Sequence, residues 1–281
     1  MKTVFIGAGS MTEAILTGTL KAGALNNKEV WITNKRNQKR LEFLSKKFNI
    51  HSTYDLSLLL KNVQVVLLAV KPKDAYETIS SIKPFLSKEV LVISVMAGIS
   101  TKLLAEMIGL DLPITRAMPN TSAAVGHSTT ALTFNSSMNT SLIETTHSLF
   151  QSIGFVTCIE EDQLDLVTAL TGSGPAYFYY LVEQMEAAAE KLGLDKQTAS
   201  LLVKETFYGA GKMLKSSPKR AVDLRKDVTS PGGTTEMGIH ILETRSVDVA
   251  LSQCIDAATR QAKTLRLQVQ NDLSEKMNNI R

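Results

Sequence analysis

The densest concentration of chemistry in the chain is Thr229-Ser230-Pro231-Gly232-Gly233-Thr234-Thr235, directly ahead of a segment with helical apolar spacing. Paired glycines let backbone N–H groups converge without a Cβ between them. The start of a helix adds positive potential, so such a stretch can hold a carboxylate or a phosphate. The hydroxyls beside it can then hydrogen-bond a second polar atom of the same ligand. The same residues also make a plain helix entrance, with Thr229 or Ser230 as cap, Pro231 and the glycines turning the chain, and Glu236 meeting the helix dipole. The local stretch leaves both readings open.

A second concentration is Gly7-Ala8-Gly9-Ser10-Met11-Thr12, between a short apolar run and an apolar helical pattern. Two glycines at a strand-to-helix turn let the backbone approach a pyrophosphate at the positive helix end. Thr12 takes the place of the third glycine of G-x-G-x-x-G. Further on, where an acid would pair with the ribose hydroxyls of NAD, the sequence has Asn34-Lys35-Arg36. Basic groups suit a 2′-phosphate, so NADPH is expected over NADH, and no carboxylate stands in that stretch to compete. Ala69-Val70-Lys71-Pro72 and the Val95–Ser100 loop, with Ala97 and Gly98, are expected to border the same cofactor, because ligands lie beyond the carboxyl ends of strands. His51, His127, His147 and His240 form no Ser/His/Asp or metal-binding spacing, so no metal is expected. His240, just past Thr235, is read as a packing residue.

These groups need a scaffold. Short apolar runs near Thr3–Ile6, Val30–Thr33, Val65–Ala69, Val90–Val95 and Ile114–Arg116 read as strands, with helical patterns around 11–23, 36–48, 73–83 and 100–108 between them. That rhythm predicts a parallel, doubly wound Rossmann-type sheet covered on both faces. Two further runs, 128–134 and 154–159, bracket a helix over 139–152 and can extend it. After Glu160 no strand is expected, only helices over 163–171, 175–191, 196–214, 234–244 and 247–268. The predicted organisation is α/β: a Rossmann-type domain over 1–160 and an all-helical domain over 161–281.

Composition narrows the partners. With 281 residues, 44% hydrophobic and 21% charged, the chain reads as soluble and globular. A net charge of +4 without a Lys/Arg tract disfavours nucleic acid, and no apolar run approaches the length of a membrane span. Cys158 and Cys254 lie far apart, which fits a reduced, cytoplasmic protein. The helix over 175–191 carries apolar or small residues around much of its circumference, and such a helix asks for a partner subunit.

RAMPNTSAAVG (116–126), TGSGPAYFYYLVE (171–183) and VTSPGGTTE (228–236), standing in order after GAGSM and AVKP, resemble pyrroline-5-carboxylate reductase over nearly the whole chain. The resemblance implies a Rossmann domain that binds NADPH, with NADH possible. It also implies a helical domain that interleaves with a partner subunit in a dimer or an assembly of dimers. The activity implied is reduction of 1-pyrroline-5-carboxylate to proline. It places Gly7, Gly9, Ser10 and Met11 at the pyrophosphate and Asn34, Lys35 and Arg36 at the adenosine ribose. Ala69, Lys71, Pro72, Ala97, Gly98 and Asn120 line the approach to the nicotinamide. Ser230, Gly233 and Thr234 would hold the substrate carboxylate, with the Gly232 backbone in the same turn, and the Thr235 hydroxyl would reach the ring nitrogen. Two positions depart from the family pattern: Ser122 stands where proline is usual and Ser128 where glycine is usual. Another reductase of small carbonyls or imines would share the glycine turn but leaves SPGGTT unexplained. A non-catalytic dinucleotide-binding paralogue would not need Ser230, Gly233 and Thr235.

Overall fold

The protein is described by a computed structural model covering residues 1–278. The strands are β1 (Thr3–Ile6), β2 (Val30–Thr33), β3 (His51–Ser52), β4 (Val65–Leu68), β5 (Leu91–Ser94), β6 (Ile114–Met118), β7 (Ser128–Phe134) and β8 (Gly154–Cys158). They form one 8-stranded sheet in the order β3-β2-β1-β4-β5-β6-β7-β8. Helices α1 (Ser10–Lys21), α2 (Gln38–Phe48), α3 (Leu56–Leu60), α4 (Ala75–Ile82), α5 (Thr101–Ile108) and α6 (Thr140–Gln151) lie between the strands.

Alternate strand residues point to opposite faces, which explains why the central strands read as unbroken apolar runs. Phe5, Val65, Leu67, Leu91 and Ile93 join one core, together with Ile15 and Leu16 of α1, Leu44 of α2 and Phe150 of α6. Val4, Ile6, Val66, Leu68 and Val92 join the other, with Leu59 of α3, Ile79 of α4 and Leu104 of α5. The predicted strands pair in parallel, and the run 128–134 extends the sheet antiparallel to β6, the one antiparallel pair among the described residues. The link between them holds only a short 3-10 turn, Thr121–Val125, too little chain for a crossover, so β7 runs back beside β6.

Beyond β8 follow α7 (Leu164–Val167) and a π-helical turn, Thr168–Gly172. Then come α8 (Gly174–Lys191), α9 (Lys196–Ser216), α10 (Ala221–Asp227), α11 (Thr234–Thr244) and α12 (Val247–Asn278). The sequence pattern missed β3, α3 and α10, and α12 runs ten residues past its expected end at 268. Its last part is an element of the first unit: Leu273 is buried in the second core, and the Arg266 guanidinium donates from Nε to Asp165 at 2.9 Å.

By compactness the chain divides into Met1–Gly172 with Ala258–Arg281 as one unit and Ser173–Ala257 as the other, whereas the change from strands to helices falls near residue 161. Within the second unit α8 meets α9 through Phe178 and Phe207, whose ring centroids are 5.5 Å apart. Its buried residues are Gly174, Ala199 and Val203 alone among those described. The polypeptide of this unit thus has helices but scarcely a core of its own. No helix among the described residues is long and apolar enough to cross a membrane.

Candidate active site

The turns expected to hold a cofactor all leave the carboxyl ends of strands in the first unit. β1 lies between β2 and β4, so the chain order reverses there and opens a crevice between the β1 and β4 exits. Gly7 follows β1 with φ +115°, a conformation that side chains rarely adopt, and a Cβ there would stand 2.4 Å from the Ala69 carbonyl oxygen. Only glycine lets the two strand exits come this close. Gly9 precedes α1, and a Cβ added there would meet nothing within 4 Å, leaving an open cradle at the helix start. Ser10 is exposed and Met11 half-buried at the first two positions of α1. Thr12 is fully buried, and its hydroxyl donates to the Gly7 carbonyl at 2.8 Å. Where a third glycine is usual, this chain cross-links its own turn.

The turn is braced from α2. Arg40 donates from Nε to the Ala8 carbonyl at 3.0 Å and pairs with Glu13 of α1, which also takes Lys47 at 2.7 Å. Lys47 and Arg40 hold the Glu13 carboxyl below the usual carboxylate range.

At the β2 exit the three expected residues behave differently. Asn34 Oδ1 accepts from the Asn37 amide at 2.8 Å and from the Tyr54 hydroxyl at 3.0 Å, so its side chain shapes the turn. Arg36 is exposed and makes no hydrogen bond or ion pair among the described residues. Lys35 is held by Glu77 at 2.8 Å and Asp74 at 3.2 Å. These contacts, Glu77 first, raise the Lys35 pKa, and Lys35 in turn lowers that of Glu77. The expectation that no carboxylate competes at this point is therefore corrected: two acids arrive from the far side of the crevice. Gly7, Asn34, Lys35, Tyr54, Asp74 and Glu77 all line one cavity of about 320 Å³.

Ala69 and Val70 are half-buried beyond β4, and Pro72 opens the short turn Pro72–Asp74 with Lys71 exposed before it. Ala97 is exposed in the loop after β5, and Gly98 lies against α12, where a Cβ would stand 3.2 Å from Arg266 Cα. Asn120, beyond β6, is 7% exposed and spans two elements: its carboxamide donates to the Thr171 carbonyl at 3.0 Å and accepts from the Ser122 amide at 3.2 Å. Its own N–H donates to Ser128 Oγ at 3.1 Å, and that hydroxyl pairs with Thr130 Oγ1 at 3.1 Å. The unusual serine at 128 is thus the buried anchor of the Asn120 loop.

In the second unit, Ser230 to Gly233 form a tight turn closed by the Gly233 N–H on the Ser230 carbonyl at 3.0 Å. Pro231 and Gly232, with φ +72°, occupy the central positions that a type II turn assigns to proline and glycine. Glu236 reaches back to accept from the Gly232 N–H at 2.8 Å. The amides of Gly232 and Gly233 are therefore engaged inside the turn, contrary to the expectation that they face a ligand. The first bond of α11 is Met237 N–H to the Gly233 carbonyl at 3.3 Å, so the amides of Thr234, Thr235 and Glu236 remain the orphan donors of the helix start. Thr229 donates its hydroxyl to the Arg225 carbonyl at 2.6 Å. The hydroxyls of Ser230, Thr234 and Thr235 make no hydrogen bond among the described residues. His240, expected to pack, is exposed on α11. Tyr54, Asp74, Glu77 and Glu236 were not singled out as site residues from sequence; only Glu236 carried a signal, as an acid in a first helical turn.

A glycine turn at the switch point of a doubly wound sheet is the arrangement of a Rossmann-type dinucleotide-binding fold. Residues 2–98 match the family model for NADP oxidoreductase, coenzyme F420-dependent, and residues 161–265 match that for pyrroline-5-carboxylate reductase dimerisation. Over 267 residues the chain is 40% identical to pyrroline-5-carboxylate reductase 2 of Bacillus subtilis (strain 168), covering 95% of this chain and 96% of that protein. A pyrroline-5-carboxylate reductase structure from Coxiella burnetii matches with TM-score 0.87 and 36% identity over 94% of this chain and 98% of that one. The Plasmodium falciparum pyrroline carboxylate reductase with NADP bound matches with TM-score 0.84 and 28% identity over 95% and 98%. The chain belongs to the pyrroline-5-carboxylate reductase family, NAD(P)H-dependent oxidoreductases that reduce 1-pyrroline-5-carboxylate to proline.

Proposed function

We propose that this chain carries out that reduction as a cytoplasmic homo-oligomer, with NADPH preferred to NADH, and that the turn at 230–235 holds the substrate. The observation that carries the reading is the set of uncommitted groups at the start of α11. Three amides, of Thr234, Thr235 and Glu236, and three hydroxyls, of Ser230, Thr234 and Thr235, converge on one helix end whose dipole favours an anion. A cyclic imino acid presents a carboxylate and a ring nitrogen a few atoms apart. The amides and the Ser230 and Thr234 hydroxyls suit the carboxylate, and the Thr235 hydroxyl suits the nitrogen.

The cradle at Gly7, Gly9, Ser10 and Met11 fits a pyrophosphate, because the open space beside Gly9 lies at a helix N-terminus. Asn34, Lys35 and Arg36 take the ribose end, while Ala69 to Pro72, Ala97, Gly98 and Asn120 border the nicotinamide. When bound, the nicotinamide supplies a hydride to the imine carbon. The C=N electron pair moves to nitrogen, and an imine that enters protonated needs no strong acid from the protein. The chain's own contribution is to bind, orient and hydrogen-bond.

The helical domain, 161–281, serves dimerisation, and the nearly coreless helices of the second unit, 173–257, support this. The direct test is NADPH and NADH oxidation with 1-pyrroline-5-carboxylate. Turnover with both, at higher kcat/KM for NADPH, is expected; no turnover with either cofactor would refute the assignment.

A further inference from the structure

Lys35 was expected to meet a 2′-phosphate unopposed, yet Glu77 and Asp74 hold it at 2.8 and 3.2 Å inside the same cavity that Gly7, Asn34 and Tyr54 line. We propose that Asp74 and Glu77 are specificity-determining residues at the ribose end of the cofactor site. They hold Lys35 while no 2′-phosphate is present, and they must release it when NADPH binds, a step that NADH does not require. This inference rests on the reading that Asn34–Arg36 take the adenosine ribose.

The argument is electrostatic. A 2′-phosphate brings close to two negative charges and asks for charge-assisted donors. Of the two basic groups at the β2 exit, Arg36 has no intramolecular partner among the described residues, whereas Lys35 is already paired with two carboxylates. A phosphate that reaches Lys35 therefore approaches two carboxylates. Their repulsion opposes it, so Lys35 contributes less to NADPH selectivity than its position implies. The pair sits on one wall: Asp74 ends the short turn after Pro72, and Glu77 lies one turn further along, in the first turn of α4. Both elements follow β4, on the opposite side of β1 from Lys35 at the β2 exit. Lys35 thus straps the two walls of the crevice together. All three side chains are accessible enough to be screened, with Lys35 62%, Glu77 63% and Asp74 28% exposed, so the effect is modest and salt-sensitive.

The test uses the whole oligomer and a probe that involves no turnover. Calorimetric affinities for 2′,5′-ADP and 5′-AMP are compared in the wild type, Glu77→Gln, the double variant Asp74→Asn/Glu77→Gln, and Arg36→Ala. Glu77→Gln is expected to raise the 2′,5′-ADP to 5′-AMP affinity ratio by about 2- to 5-fold, and the double variant further, with the gain shrinking at high salt. In turnover the same variants should lower KM for NADPH. An unchanged ratio, or one that rises because 5′-AMP binding weakens, would overturn the inference. Arg36→Ala tests the underlying reading separately. If it weakens both nucleotides equally, the ribose placement itself is wrong; if it weakens 2′,5′-ADP selectively while Glu77→Gln does nothing, only the role of the acids falls.

Discussion

Thr235 is the second residue of α11, where its amide and its hydroxyl are both open, and that distinguishes it from Thr229, whose hydroxyl is bound to its own helix. Thr235→Val preserves shape and removes the hydroxyl alone. We expect kcat to fall by roughly 10-fold to 10³-fold, the range for one lost oriented donor in a closed site. KM for NADPH should hold, because the cofactor turns belong to the first unit. Unchanged turnover in steady-state assays would return Thr235 to a helix-start threonine. Gly233 makes a different point. A Cβ there would stand 3.0 Å from the Ser230 carbonyl oxygen, so Gly233→Val strains the turn and should act chiefly on KM for the imine.

At the scale of elements, the Asn120 loop and the α1–α2 brace set how firmly the cofactor turns are held. Ser128→Gly removes the buried hydroxyl that accepts the Asn120 N–H, without touching the adenosine end. It should lower kcat by roughly 3- to 10-fold while leaving the affinity for 2′,5′-ADP as it was, since one neutral hydrogen bond contributes about 1 kcal/mol. Equal losses in both readouts would mean general destabilisation instead. The brace predicts a pH dependence. Because the folded-state pKa of Glu13 is depressed, its contribution to stability is full above the unfolded value and is lost as pH falls through the lower folded value. Glu13→Gln should therefore lower Tm at neutral pH, and the difference from wild type should close in the acid range below the ordinary carboxylate pKa. A gap that persists there would show that packing, and not charge, carries the effect.

For the whole molecule, the decisive feature is the contrast between a first unit with two full cores and a second with Gly174, Ala199 and Val203 as its buried residues. Phe178, Tyr179, Tyr180, Leu202, Tyr208 and Ile241 are all exposed there. Exposed apolar surface on that scale marks an interface. Leu202→Glu on α9 should give a smaller species in sedimentation and a lower, concentration-dependent Tm. A variant that sediments like wild type would remove Leu202 from the interface.

The sequence by itself determined the alternation of elements, because strands buried on both faces must be apolar and helices must be periodic; Ser128–Phe134 and Thr234–Thr244 fall where the pattern put them. It also determined the glycine turns, because φ +115° at Gly7 and +72° at Gly232 leave few other residues to choose from. What it left open were facts about partners distant in the chain. Short elements such as His51–Ser52 and Leu56–Leu60 carry too few residues for a period to register, and they exist because neighbours support them. The hydrogen bond from Thr12 to Gly7, the anchoring of Asn120 by Ser128, and the pairing of Lys35 with Asp74 and Glu77 some forty residues away depend on which loops the sheet order brings together. Local sequence fixes which groups are available. Strand order decides which of them meet, and a charge that looks free in the sequence is free only if no opposite charge is folded against it.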